Sequence, residues 1–223
     1  MERINLIQHG ELQKTTLIPG SKINGADLKD LFELSKEICQ TNIYCGLAMN
    51  QIPLELIKQR SGYQSHCRII FLRPEIYGGG ESSVLEDTLI INPRIKVKNR
   101  ETYLGFEGCG SVDFDQTLML VRRPTDFKLS GLFYMSGMGL PKYEEVESKN
   151  LEYFNASQHE IDHLNGYTAL NFPEKLVNPL EESEFIVDIE QLRQILEDGG
   201  GKSLYVYAND RLEKIPYQDI VRR

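Results

Sequence analysis

The segment His159-Glu160-Ile161-Asp162-His163 constrains this chain more than any other. Residues four apart lie on one side of an α-helix. A helix here presents two imidazoles together, able to grip one metal ion, with Glu160 beside them to take a proton from metal-bound water. Alone, the segment also fits two solvated histidines and an ordinary glutamate on a surface helix. The hydrolytic reading asks more of the fold: a third protein ligand and an open coordination position for water.

No histidine follows His163, so the third ligand has to be of another kind. Glu174 or Glu181 would supply a carboxylate. Cys109, set in Phe106-Glu107-Gly108-Cys109-Gly110-Ser111, would supply a thiolate, a strong ligand for a borderline metal. Its flanking glycines let the backbone turn sharply and approach a ligand closely. The commoner fate of a free cysteine is that of a small buried hydrophobe.

The rest of the chain predicts an α+β fold, with mixed or antiparallel sheets packed around a central helix that carries the two histidines. A helix is expected over 27–40, where Leu28, Leu31, Phe32, Leu34, Ile38 and Cys39 recur at three- and four-residue spacing. Strands are expected at 4–7, 68–72, 88–91, 95–98, 118–121 and 203–207. The histidine-bearing helix is read over 148–165, closed by Gly166 as its C-cap, and a second amphipathic helix over 181–197. Asp162 points off the metal face and is read as an ion-pair partner, with Arg123 as its candidate. Gln158 is read as a packing or hydrogen-bonding residue near the site.

A formal net charge of −8 argues against nucleic acid or an anionic membrane as the main partner, since either needs a basic face. No run reaches the ~18 apolar residues of a membrane span, and the N-terminus lacks a leader's apolar stretch. Four cysteines in 223 residues do not suggest a secreted disulfide scaffold. A reducing, cytoplasmic setting is expected, with Cys39, Cys45 and Cys67 as packing residues.

Three segments together resemble the signature motifs of the peptide deformylases. They are Gly46-Leu47-Ala48-x-x-Gln51, Glu107-Gly108-Cys109-x-Ser111 and Gln158-His159-Glu160-x-Asp162-His163-Leu164-x-Gly166, in the family's order. The likeness extends over roughly 4–178, which implies a catalytic domain of residues 1–178 and a C-terminal helix with a short extension at 179–223. It implies hydrolytic removal of the formyl group from formyl-methionyl peptides or nascent chains. Cys109, His159 and His163 would be the metal ligands, with ferrous iron the expected ion and zinc, nickel or cobalt as substitutes. Metal-bound water would be the nucleophile and Glu160 the general acid–base. The Gln51 side-chain amide and the Gly110 N–H would stabilise the oxyanion. Gly46, Leu47, Tyr44, Glu107 and Asn155 are expected at the substrate groove, and the ribosome is a candidate partner.

The chain departs from the pattern at Tyr44 and Met49, where the family usually has glycine and alanine. It also departs at Asn155, in the helix turn that usually gives the methionine pocket apolar residues. The substrate-holding arginine that many members carry after the second motif has no clear counterpart before Arg122. These changes keep two further readings in view: an amidase for a different N-acyl group, and a deformylase-like binding protein without catalysis.

Overall fold

The structure is a computed structural model that describes residues 4–42, 44–73, 86–100, 102–111, 117–148, 154–168, 176–179, 204–208 and 211–215. The chain forms two compact units, one of Met1–Glu101 with Pro124–Tyr167, the other of Thr102–Arg123 with Thr168–Arg223.

The first unit is built on a five-stranded antiparallel sheet. Its elements, in chain order, are α1 (Gly25–Asn42), β1 (Gly46–Ala48), α2 (Leu54–Arg60), β2 (Ile69–Leu72) and β3 (Thr88–Val97). The numbering passes to the second unit for β4 (Thr102–Glu107) and β5 (Thr117–Pro124), then returns with β6 (Phe127–Met135), β7 (Lys142–Glu147) and α3 (Phe154–Leu164). The strand order is β1-β2-β3-β6-β7, every pair antiparallel.

Helix α1 starts two residues earlier than its apolar spacing suggests, because the Asn24 side chain accepts the Ala26 N–H at 3.0 Å and caps it. Its stripe of Leu28, Leu31, Phe32, Leu34 and Ile38 packs on one face of the sheet against Leu47, Ile69, Phe71, Leu89 and Ile91. Phe32 meets the rings of Phe71 and Tyr134 edge-on, at centroid distances of 5.4 and 6.0 Å. The opposite face belongs to α3: Ala156, Ile161 and Leu164 pack with Ala48, Ile70, Leu72, Ile90, Phe127, Leu129 and Phe133. A sheet covered on both faces needs apolar side chains at every position, so β2 reads Ile-Ile-Phe-Leu without alternation. The α+β class and the antiparallel sheet agree with the sequence expectation.

Two strand expectations changed. Residues 88–91 and 95–98 belong to one strand, β3, whose register shifts between Ile91 and Arg94. Asn92 sits at the irregularity with φ of 52°, and its side chain exchanges two 2.9 Å hydrogen bonds with the Ile18 backbone. Residues 4–7 are not a strand. Ile7 N–H donates at 2.8 Å to the Gln51 carbonyl, which lies in a single 3₁₀ turn, Met49–Gln51, and such a turn offers no ladder of partners. Leu6 is buried, and Asn42 Nδ2 donates to the Ile4 carbonyl at 3.5 Å, a single side-chain bond and no strand pairing.

In the second unit a three-stranded sheet has the order β4-β5-β8, with β8 at Leu176–Pro179, and β9 (Leu204–Ala208) pairs antiparallel with β10 (Arg211–Ile215). The late strand expected near 203–207 is β9. The helix expected over 181–197, the start of the helix expected from 148, and Glu174 and Glu181 lie outside the described residues.

Candidate metal centre

Helix α3 carries the histidines on its buried side. The rings of His159 and His163 stand 4.5 Å apart, centroid to centroid, at 89° to each other. They therefore converge edge-on rather than stack. His163 is 0% exposed, and Glu160 only 4%.

The end of α3 fixes how His163 presents itself. Gly166 adopts φ of 83°, the left-handed conformation that glycine tolerates best. Its N–H returns to the His163 carbonyl at 2.8 Å and the Tyr167 N–H to the Asp162 carbonyl at 3.0 Å. This is the Schellman pattern, and Gly166 is the cap expected from the sequence. The cap brings the Tyr167 carbonyl to 2.8 Å from His163 Nδ1. A carbonyl only accepts, so Nδ1 carries the proton and Nε2 keeps its lone pair for a metal. Arg68 adds a brace, donating from Nη1 to Asn165 Oδ1 at 2.9 Å.

Beside α3, the tight first motif has a steric reason. A Cβ on Gly46 would stand 2.7 Å from Glu160 Oε1 and 2.9 Å from its Cγ. Only glycine leaves room for that carboxylate against β1. Leu47 turns the other way, into the core beneath α1, and half-buried Tyr44 packs against the same core. Gln51 is buried and accepts the Ala48 N–H on Oε1 at 2.7 Å, which assigns its NH₂ group as the donor end.

Cys109 is buried in the turn after β4, with Gly110 following it. That turn is braced by a buried bidentate pair: Arg123 Nε donates to Glu107 Oε1 at 2.7 Å and Nη2 to Oε2 at 2.8 Å. The structure thus gives Arg123 the partner Glu107. Both Glu107 oxygens being engaged, its part in the site is to hold the turn. Gln158 Nε2 donates to the Pro124 carbonyl at 3.3 Å, a packing role. Asn155 lies in the first turn of α3, and its side chain is outside the described residues.

Cys109, His159 and His163 are ligand types that could hold a metal ion, and two imidazoles with a thiolate suit a divalent transition metal. The other thiols are of another kind. Burial, with the Glu160 charge adding to it, pushes the Cys39 thiol well above its ordinary range, and burial raises Cys67 too. Both stay protonated, as packing residues should.

The residues that sequence reasoning missed are the ones acting through backbone: Tyr167, whose carbonyl sets the histidine tautomer, and Asn50 and Thr15, described below. Gly166 was the available signal, because a Schellman cap places the following residue's N–H over the last turn.

A sequence model described as polypeptide deformylase matches residues 2–178. Among solved structures, a class I type b peptide deformylase from Acinetobacter baumannii bound to Met-Ala-Ser is 21% identical, with a TM-score of 0.57 over 77% of this chain and 100% of that one. A probable peptide deformylase from Synechococcus phage S-SSM7 is 25% identical, with a TM-score of 0.56 over 76% and 99%. Peptide deformylase from Thermotoga maritima is 23% identical, with a TM-score of 0.54 over 77% and 97%. Compared with curated proteins, the chain matches none. No helix among the described residues is long and apolar enough to cross a membrane.

Proposed function

The chain belongs to the polypeptide deformylase family, and from that membership we propose that it hydrolyses the N-formyl group from formyl-methionyl peptides at the Cys109, His159 and His163 centre. The observation that carries the proposal is the pair of buried imidazoles of His159 and His163 meeting edge-on on α3, with buried Glu160 on the same helix turn, and Cys109 is the proposed third ligand. The amidase and binding-protein readings gain no support from the comparisons. The Met-Ala-Ser held by the Acinetobacter enzyme supports methionine as the first residue of the substrate.

A divalent ion held there would supply the Lewis acidity that makes water nucleophilic near neutral pH. Ferrous iron is the proposed ion. His163 would bind it through Nε2, since Nδ1–H is committed to Tyr167. Glu160 takes a proton from the attacking water and returns it to the departing amine, the two halves of general acid–base catalysis. Its confinement against Gly46 fixes where that proton is handled. The Gln51 NH₂ group and the Gly110 N–H are the proposed donors to the oxyanion. The backbone of Gly46 and Leu47, with Tyr44 and Asn155, are proposed to border the substrate groove. Residues 1–178 are the proposed catalytic part. The cytoplasm is the proposed setting, and a nascent chain at the ribosome the natural source of substrate.

The test is formate release from formyl-Met-Ala-Ser by protein purified anaerobically with ferrous iron, with Glu160→Ala as control. Release that disappears in the control supports the assignment. A protein that binds one metal per chain and deformylates no formyl peptide would refute the substrate.

A further inference from the structure

We propose that Asn50 is a positioning residue for the metal centre, holding the last turn of α3 through the N-terminal segment so that His163 is preset for its ion. The inference rests on the metal-centre reading and adds to it a residue that contacts neither metal nor substrate.

A helix leaves its last four carbonyls without intrahelical donors. In α3 the Schellman cap serves Asp162 and His163. The Leu164 carbonyl is served from far away in sequence: the Thr15 N–H and the Thr15 hydroxyl both donate to it, each at 2.9 Å. The side chain of Asn50, 1% exposed, joins the two parts. Its one NH₂ group donates to the Gln13 carbonyl at 2.9 Å and to the His163 carbonyl. Two flanking acceptors fix the amide's orientation, because a flip would press its oxygen against both.

The His163 carbonyl therefore receives Asn50 and Gly166 together, while the His163 ring is held at Nδ1 by Tyr167. Backbone and ring of one ligand are pinned from separate directions. The N-terminal segment closes over the same turn, since a Cβ on Gly166 would come within 3.2 Å of the Lys14 nitrogen. Partners that orient a ligand without touching the metal typically change affinity by 10–100-fold when removed.

The test replaces Asn50 by Leu, which keeps the branched outline of the side chain and deletes both donors, and in a second variant Thr15 by Val. Each protein is loaded with cobalt, its visible spectrum recorded, and cobalt release to an excess of chelator followed at a temperature where circular dichroism shows it folded. The expected result is release about 10–100-fold faster for Asn50→Leu, a perturbed ligand-field spectrum, and a smaller change of the same kind for Thr15→Val. Saturating metal should restore most of kcat with KM for formyl-Met-Ala-Ser unchanged. Release within twofold of the parent and an unaltered spectrum would overturn the proposal. A parent that takes up no cobalt would overturn the metal centre itself, and this role with it.

Discussion

Gly46→Ala is the substitution for which the geometry gives the sharpest expectation. Replacing glycine by alanine outside the left-handed region ordinarily stabilises a protein by about 0.4–1 kcal/mol, because the unfolded chain loses freedom. Here the added methyl would lie 2.7 Å from Glu160 Oε1, 2.9 Å from Cγ and 3.1 Å from Cδ. Rotating the carboxylate relieves the first contact but not the second, since Cγ lies close to the backbone of α3. Reaching ordinary contact of about 3.5 Å moves the side chain by more than half an ångström, an overpacking that costs roughly 1–3 kcal/mol. The clash outweighs the entropic gain, and the variant should be less stable. A misplacement of about 1 Å near the reacting atoms can cost 10²-fold in rate, so kcat/KM should fall by about that factor, or ~2.7 kcal/mol, while metal content holds. The assay is a double-mutant cycle with Glu160→Ala, reading formate release and urea unfolding of metal-loaded protein. With the carboxylate gone the methyl has room. In that background, where formate release is already gone, the effect of Gly46→Ala on stability should change sign to a small gain. A Gly46→Ala protein with activity within threefold of the parent, or an equal loss of stability in both backgrounds, would refute the reasoning.

Other outcomes follow from the same geometry. Arg123→Ala strands the buried Glu107 carboxylate, and breaking one side of a buried pair costs about 3–5 kcal/mol; denaturation and metal analysis should show a weakened fold and lost metal together. Cys109→Ala removes a ligand without opening a large cavity, so it should abolish stoichiometric metal binding while circular dichroism stays close to that of the parent; full metal retention would exclude the thiolate as a ligand. The raised Cys39 thiol has a pH consequence. Its contribution to stability is complete below the unfolded thiol's value of about 8.5 and is lost as pH climbs from there toward the folded value, by at most ~1.4 kcal/mol per pH unit. Between pH 8 and 10 the urea midpoint of the parent should fall more steeply than that of Cys39→Ala, and equal slopes would contradict the assignment.

How much of this was legible in the sequence depended on whether a residue acts through its own periodicity or through a distant partner. The helix of His159 and His163 was legible because one stretch carries both the ligands and the apolar stripe of Ala156, Ile161 and Leu164. Cys109 was not: a lone thiol has no period, and only its motif raised it above a packing residue. Strand β6 went unnoticed although Phe127, Leu129, Gly131 and Phe133 are buried at alternate positions; Leu132 and Tyr134 on the intervening positions blurred the pattern. The Glu107–Arg123 pair was not read from the sequence, because it lies in a geometry of 2.7 and 2.8 Å that only the folded turn supplies. The tautomer of His163 was beyond any one-dimensional reading, since it is set by a carbonyl that arrives through the conformation of Gly166.

The bond between Thr15 and Leu164 spans 149 positions of sequence. During synthesis at about 5–20 residues per second, the N-terminal segment waits roughly 8–30 s for the helix end it must close over. Until then neither the cap on His163 nor the anchor for residues 13–15 exists. An emerging chain that already carries Gln51 and Cys109 therefore still lacks the braced turn of His163, and a metal ion can meet that turn only after Leu164 has left the ribosome. Maturation is thus timed by topology: the turn that presents His163 is completed late, when both ends of that bond have been made.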